Sequence, residues 1–201
     1  MNKKNNSILN SEGIEKQTLK LALRSPESCY TYAKNTNKRF FAGEKMVLSD
    51  SRWAYEYALN IIKERWPEAE HVISKDCEYS LRYALTILKG RFLEAEKLIS
   101  KDPQYAYYYA RDILGNRWPE AESCIAKDYY HAYKYAEMIL RERFELGEKE
   151  ISKNIEFLFY YAQNVIKDKL PENLHNKMLS FAIENPNDKF VKKYFSFIKQ
   201  N

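Results

Sequence analysis

Five arginines stand 26 residues apart, Arg39, Arg65, Arg91, Arg117 and Arg143, and five residues after each comes a glutamate: Glu44, Glu70, Glu96, Glu122 and Glu148. Two chemistries are open to such a series. One is a ladder of cations facing a polyanion; the other is a bidentate guanidinium-carboxylate pair made once per copy. The charges recur in equal number, so the pair is the economical account, a clamp on a chain turn made within or between copies. Spacing points the same way. Packed helices lie about 8–10 Å apart, whereas phosphates on one DNA strand recur about every 3.4 Å, so a ladder would meet only some of them.

A tyrosine recurs with the same period, Tyr57, Tyr83, Tyr109, Tyr135 and Tyr161, each followed by alanine. At helical spacing such a residue fills the space between helices while its hydroxyl reaches a polar partner. Other aromatic residues do not repeat so strictly. Tyr105, Tyr107, Tyr108, Tyr109, Tyr129, Tyr130, Tyr133 and Tyr135 are denser than a core needs, so some of these rings are expected at the surface, where tyrosine favours protein contact.

No motif for catalysis accompanies them. His71, His131 and His175 occupy unrelated places in the period, and the three cysteines Cys29, Cys77 and Cys124 have neither metal-ligand nor disulfide-framework spacing. There is no glycine-rich phosphate loop, nucleophile elbow or isolated carboxylate pair. The sequence therefore predicts no catalytic residue, no metal and no cofactor.

The elements that carry these residues can be read from the period itself. With each Arg as position 1, position 2 is always Phe or Trp, position 9 is β-branched, position 12 is Asp or Asn, and position 20 is Ala. Pro67 and Pro119 at position 3 suit a first helical turn, and the apolar positions 2, 5 and 9 then describe a short helix A of about nine or ten residues. The Asp or Asn at position 12 is a helix N-cap and opens helix B, whose apolar positions 16, 19, 20 and 23 share one face. Gly90 and the pair Gly115, Asn116 mark its end in two copies. Helices this short cannot bury their stripes alone, so they must stack, and the expected fold is all-α, a right-handed-type α-solenoid of helix-turn-helix repeats.

Five full copies span residues 39–168. Residues 14–38 form a degenerate N-terminal cap in which Tyr32 and Ala33 echo the Tyr-Ala step, one residue closer to the next Arg than elsewhere. Residues 169–201 read as a C-terminal helical cap, and residues 1–13 as a flexible tail. The formal charge of +5 is uneven: residues 1–39 hold eight Lys or Arg against three acids, residues 40–168 hold 19 against 22, and residues 169–201 hold six against three. The repeat body is slightly acidic and the basic excess sits at the two ends.

The segments Arg65-Trp66-Pro67-Glu68-Ala69-Glu70 and Tyr105-Ala106-Tyr107-Tyr108-Tyr109-Ala110-Arg111-Asp112 resemble the short tandem α-helical repeats of bacteriophage and large-virus proteins of uncharacterised function. The resemblance spans residues 39–168 and implies a viral or mobile-element setting, with a host factor as partner. It carries over no catalytic or binding residue. Phe41, Leu93 and Glu145 stand where two copies have Pro, which weakens the helix start there.

The functional expectation is a non-enzymatic scaffold that binds another protein through the positions that vary from copy to copy, 14, 18 and 22. Tyr108, Tyr130, Lys134, Tyr160 and Arg82 are the candidates. The alternative is a nucleic-acid binder using the basic ends, with Lys34, Lys38, Arg39, Lys189, Lys192 and Lys193 on the phosphates. A homo-oligomer through Phe190, Tyr194, Phe195 and Phe197 of the last helix is a further possibility of the pattern. No stretch reaches the length of an apolar span and no leader pattern opens the chain, so the expected location is cytoplasmic, the host cytosol for a phage or viral protein.

Overall fold

The computed structural model describes residues 15–200; the expected tail, residues 1–13, lies outside them. Among the described residues every regular element is a helix and no strand occurs. The chain is an all-α helical-repeat solenoid. It divides into two compact units, Met1–Ala95 and Glu96–Asn201, each described by itself.

The first unit opens with α1 (residues 15–22) and α2 (Pro26–Thr36), and continues with α3 (Phe41–Val47), α4 (Ser51–Tyr57), α5 (Pro67–Ile73) and α6 (Cys77–Tyr83). Helix α7 (Leu93–Ile99) follows. The second unit continues with α8 (Pro103–Tyr109), α9 (Pro119–Ile125), α10 (Tyr129–Tyr135), α11 (Glu145–Ile151) and α12 (Ile155–Tyr160). A terminal pair, α13 (Glu172–Glu184) and α14 (Lys189–Gln200), closes it.

Each A helix of the five copies is seven residues long, shorter than its apolar pattern suggested. Copies beginning at Phe41, Leu93 and Glu145 start as readily as those beginning at proline. The B helices are capped as expected: the side chains of Asp50, Asp76, Asp102, Asp128 and Asn154 each accept the amide of the residue three places on. That satisfies a donor the helix itself leaves free.

The B helices end in a way the periodicity did not show. After seven α-helical residues, or six in the last copy, each widens into a π-helical turn: Ala58–Ile62, Ala84–Leu88, Ala110–Leu114, Ala136–Leu140 and Tyr161–Ile166. The turn closes on a left-handed residue, Lys63, Lys89, Gly115, Arg141 or Lys167, whose amide bonds back five residues to the alanine carbonyl at position 20. Glycine takes this conformation at no steric penalty, and in the other four copies a basic residue complements the negative end of the helix instead.

A π turn holds one residue more than an α turn. Helix α2 lacks it, since its left-handed Asn37 comes four residues after Ala33, where Lys63 comes five after Ala58. The one-residue offset of the N-terminal copy is thus the absent π residue. The extra residue also turns position 23 partly out of the core. Ile61, Ile87, Ile113 and Ile139 are only half-buried, and position 17 (Tyr55, Leu81, Tyr107, Tyr133, Phe159) is buried in their place beside positions 16, 19 and 20.

Helix B of one copy packs on helix A of the next, as α4 on α5, α8 on α9 and α10 on α11, and B helices stack on one another, as α10 on α8 and α12. Position 9 (Val47, Ile73, Ile99, Ile125, Ile151) and the alanines at position 20 are fully buried. Small residues at position 5 permit the close approach. A Cβ on Gly147 would lie 2.8 Å from Ala132 Cβ on α10 and 2.7 Å from Phe144 Cδ1.

Candidate interaction face

The most regular chemistry in the molecule is structural. Arg39, Arg65, Arg117 and Arg143 each donate from Nε and Nη2 to the two carboxylate oxygens of the glutamate five residues on, at 2.5 to 3.1 Å. The same carboxylate accepts the hydroxyl of the position-19 tyrosine: Tyr57 to Glu44, Tyr83 to Glu70, Tyr109 to Glu96, Tyr135 to Glu122 and Tyr161 to Glu148. In return the hydroxyl accepts the position-2 amide, from Phe40, Trp66, Trp118 and Phe144, at 2.6 to 2.8 Å.

Those amides open the A helices, which have no side-chain cap of their own, so the tyrosine supplies one from the following helix. Its ring meanwhile packs on the position-2 aromatic of the next copy, Tyr57 on Trp66, Tyr83 on Phe92, Tyr109 on Trp118 and Tyr135 on Phe144, with centroids 5.1 to 5.3 Å apart. One side chain therefore ties its own copy together with its hydroxyl and holds the next with its ring. Burial, more than the neighbouring carboxylate, pushes the phenols of Tyr57 and Tyr83 up to about 12, and raises those of Tyr135 and Tyr161 too. The clamp is made within a repeat, and it commits Arg39 to Glu44.

The outer sides of the B helices carry a second, less regular set. In the first unit Tyr30 packs on Trp53 and Tyr55 on Tyr79. Asn60 donates from Nδ2 to the Tyr30 hydroxyl at 3.1 Å, and the hydroxyls of Tyr55 and Thr86 lie 3.5 Å apart. In the second unit Asn164 donates to the Tyr133 hydroxyl at 2.8 Å. Position 22 is thus a rung to the position-17 tyrosine of the preceding B helix. A tyrosine at 17 followed by Asn or Thr at 22 in the next copy is the signal that the sequence reading passed over.

Between α8 and α10 that rung is missing. Met138 holds position 22, is 52% exposed and has no polar atom to offer the Tyr107 hydroxyl. The guanidinium of Arg111 lies over Tyr107 and Tyr108, 4.8 Å from the Tyr108 centroid, and forks onto Asp112 at 2.6 and 2.8 Å. His131 Nδ1 sits 2.7 Å from Asp128 Oδ1. From there rings meet one another across the unit: Tyr107 and Tyr108 with His131, His131 with Tyr130, Tyr130 and Tyr133 with Phe157, Phe157 with Tyr160, and Tyr160 with Phe190 of α14. Tyr129 and Tyr130 are each 39% exposed.

The charges on this face are matched from within. Lys134 donates to Glu137 at 2.7 Å and lies over the Tyr133 ring. Burial pushes the Glu137 carboxyl up, but Lys134, Tyr133 and Asn164 together outweigh it and hold the group below the usual carboxylate range.

Four of the five residues expected to contact a partner, Tyr108, Tyr130, Lys134 and Tyr160, thus fall on the aromatic face of the second unit. Arg82 is in the first unit, exposed and paired with Glu78 at 2.7 Å. Of the basic candidates, Lys34 lies over Tyr30 and Lys38 is exposed. On α14, Lys189 and Lys193 lie over Phe190, and Lys192 donates to Asn187 at 3.0 Å. Of the residues considered for self-association, Phe190 and Tyr194 are buried, whereas Phe195 and Phe197 are half-buried.

Among the described residues no three His, Cys, Asp or Glu side chains come together to hold a metal ion, and no helix is long and apolar enough to cross a membrane. Cys29 and Cys124 are buried free thiols and Cys77 is half-buried. The chain matches no protein-family model, no curated protein and no solved structure.

Proposed function

We propose that this chain is a non-enzymatic helical-repeat scaffold that holds another protein against the outer face of α8, α10 and α12, centred on Tyr108, Tyr130 and Met138. The observation that carries the reading is the interrupted rung between α8 and α10. At this place an internal bond is given up, apolar and aromatic groups stand exposed, and the adjoining cations are already neutralised by Asp112 and Glu137. A polyanion would find little free charge there. A protein surface would find what protein interfaces favour, tyrosine and arginine without unpaired charge. The resemblance of the repeats to those of phage and large-virus proteins supports a host factor as the partner.

A second reading has an observation of its own. Lys189, Lys192 and Lys193 on α14 rest on rings or on Asn187 and have no carboxylate partner among the described residues, which leaves their charge to phosphates. Arg39 drops out of that set because Glu44 holds it.

Affinity capture with the tagged full chain, with and without nuclease, separates the two. The expected result is a nuclease-resistant protein that is lost when Tyr108 and Tyr130 are both replaced by alanine and kept when Lys189, Lys192 and Lys193 are. Capture abolished by nuclease, or by the lysine replacements alone, would transfer the function to α14.

A further inference from the structure

The terminal pair repeats the clamp with one part exchanged. Leu170 stands at position 2, and its amide donates to the Tyr194 hydroxyl at 3.2 Å, just as the amides of Phe40, Trp66, Trp118 and Phe144 donate to their tyrosines. Donor and acceptor are 24 residues apart here and 17 in the repeats, because α13 has 13 residues where an A helix has seven. Tyr194 is fully buried. Leu174 occupies the glutamate's place, and the atom that meets the hydroxyl is Nδ1 of His175, at 2.7 Å.

The repeats fix the direction of this bond. At Tyr57, Tyr83, Tyr135 and Tyr161 the hydroxyl accepts the amide and passes its own proton to the carboxylate, so in the last pair the acceptor is a bare Nδ1 and the imidazole carries its proton on Nε2. A carboxylate keeps that role down to about pH 4, whereas an imidazole loses it in the range where histidine ionises. Once Nδ1 is protonated, two donors converge on the Tyr194 oxygen and its own proton has nowhere to go inside the pair.

We propose that His175 makes the terminal pair an acid-sensitive latch: protonation of the imidazole breaks the sixth clamp and loosens α14 from α13, while the five carboxylate clamps hold. Among the described residues no carboxylate is paired with the imidazole, neither Glu172 on its own helix nor Asp168 before it. From the segment before α13 the ring meets Lys169, which repels it, and from α14 it meets Tyr194 and the edge of Phe195. Burial first, and Lys169 second, lower the His175 pKa below 6.5. The sign follows: the folded value lies below the unfolded one, so the latch's contribution is complete above about pH 6.5 and is lost as pH falls through the folded value. Loosening α14 has a consequence for the face, because Phe190 covers Tyr160 and Phe159.

Nitrogen-resolved NMR and amide exchange on the full chain test this. At pH 7.5 the His175 Nδ1 resonance should be that of an unprotonated nitrogen. Between pH 7 and 5, α14 amides should lose protection beyond the intrinsic pH effect, while α10 and α12 keep theirs. His175→Gln should remove this pH dependence, and His175→Glu, which restores the carboxylate of the repeats, should move it into the carboxylate range even if the glutamine variant fails to close the pair. A protonated Nδ1 at pH 7.5, α14 protection unchanged at pH 5, or the same loss in His175→Glu would overturn the proposal.

Discussion

The clamp edge and the outer face are built on the same helices, yet they spend their side chains differently. At the clamp, Arg, Glu and Tyr recur at every copy, the hydroxyls of Tyr57, Tyr83, Tyr135 and Tyr161 are each used twice, and no buried side-chain nitrogen or oxygen among the described residues lacks a partner. On the outer face the same positions change from copy to copy, the rung between α8 and α10 is absent, and rings remain open to solvent. The clamp is needed by every junction alike, so it cannot vary without opening a helix end. The face meets the junctions only through rungs and ring contacts between neighbouring B helices, and its exposed residues are at liberty to suit something outside the chain.

The contrast can be pressed hardest at alkaline pH. Burial pushes the phenols of Tyr57 and Tyr83 up to about 12 against 10 for a free tyrosine and raises those of Tyr135 and Tyr161 as well, so their contribution is complete below pH 10 and is lost as pH rises through the folded values. Phenolate absorbance and helicity followed together should show the clamp tyrosines ionising only as the helices melt. A full phenolate signal with helicity intact would mean that the hydroxyls are not structural.

Tyr135→Phe is the next largest test. It strips Trp118 of its acceptor and Glu122 of a donor in a buried place, and should lower stability by about 2 kcal/mol in urea denaturation. Gly147→Ala should destabilise by about 1–2 kcal/mol, since its Cβ has no room between Phe144 and Ala132. Smallest of all, replacing Tyr130 or Met138 by alanine on the outer face should stay within about 0.5 kcal/mol while abolishing capture. A stability loss there as large as at Tyr135 would erase the distinction between the two regions.

Most of the clamp was legible in the sequence because it repeats. The Arg and Glu spacing announced a pair, and the Asp or Asn at position 12 announced the B-helix caps, since those residue types have few other reasons to recur before a helix. The second partner of the hydroxyl was not legible: the amide it caps belongs to a residue 17 places earlier, and backbone groups leave no mark in the sequence. The π turns were hidden for another reason. Isoleucine at position 23 satisfies an α-helical pattern, and the trace of the extra residue lay in the offset of Tyr32 and Ala33, outside the five aligned copies. The face was legible only as variation. That Asn60 and Asn164 serve helix stacking while Met138 does not required knowing which rings stand opposite them.

Because the position-19 ring is received by the next copy and its hydroxyl by its own, every junction presents the same two surfaces. Recombination in frame with one 26-residue copy would lengthen or shorten the array and still leave each amide capped and each carboxylate forked. Repeat number is therefore a quantity that heredity can change in single steps, and each new copy arrives with its clamp complete and its outer face free to diverge.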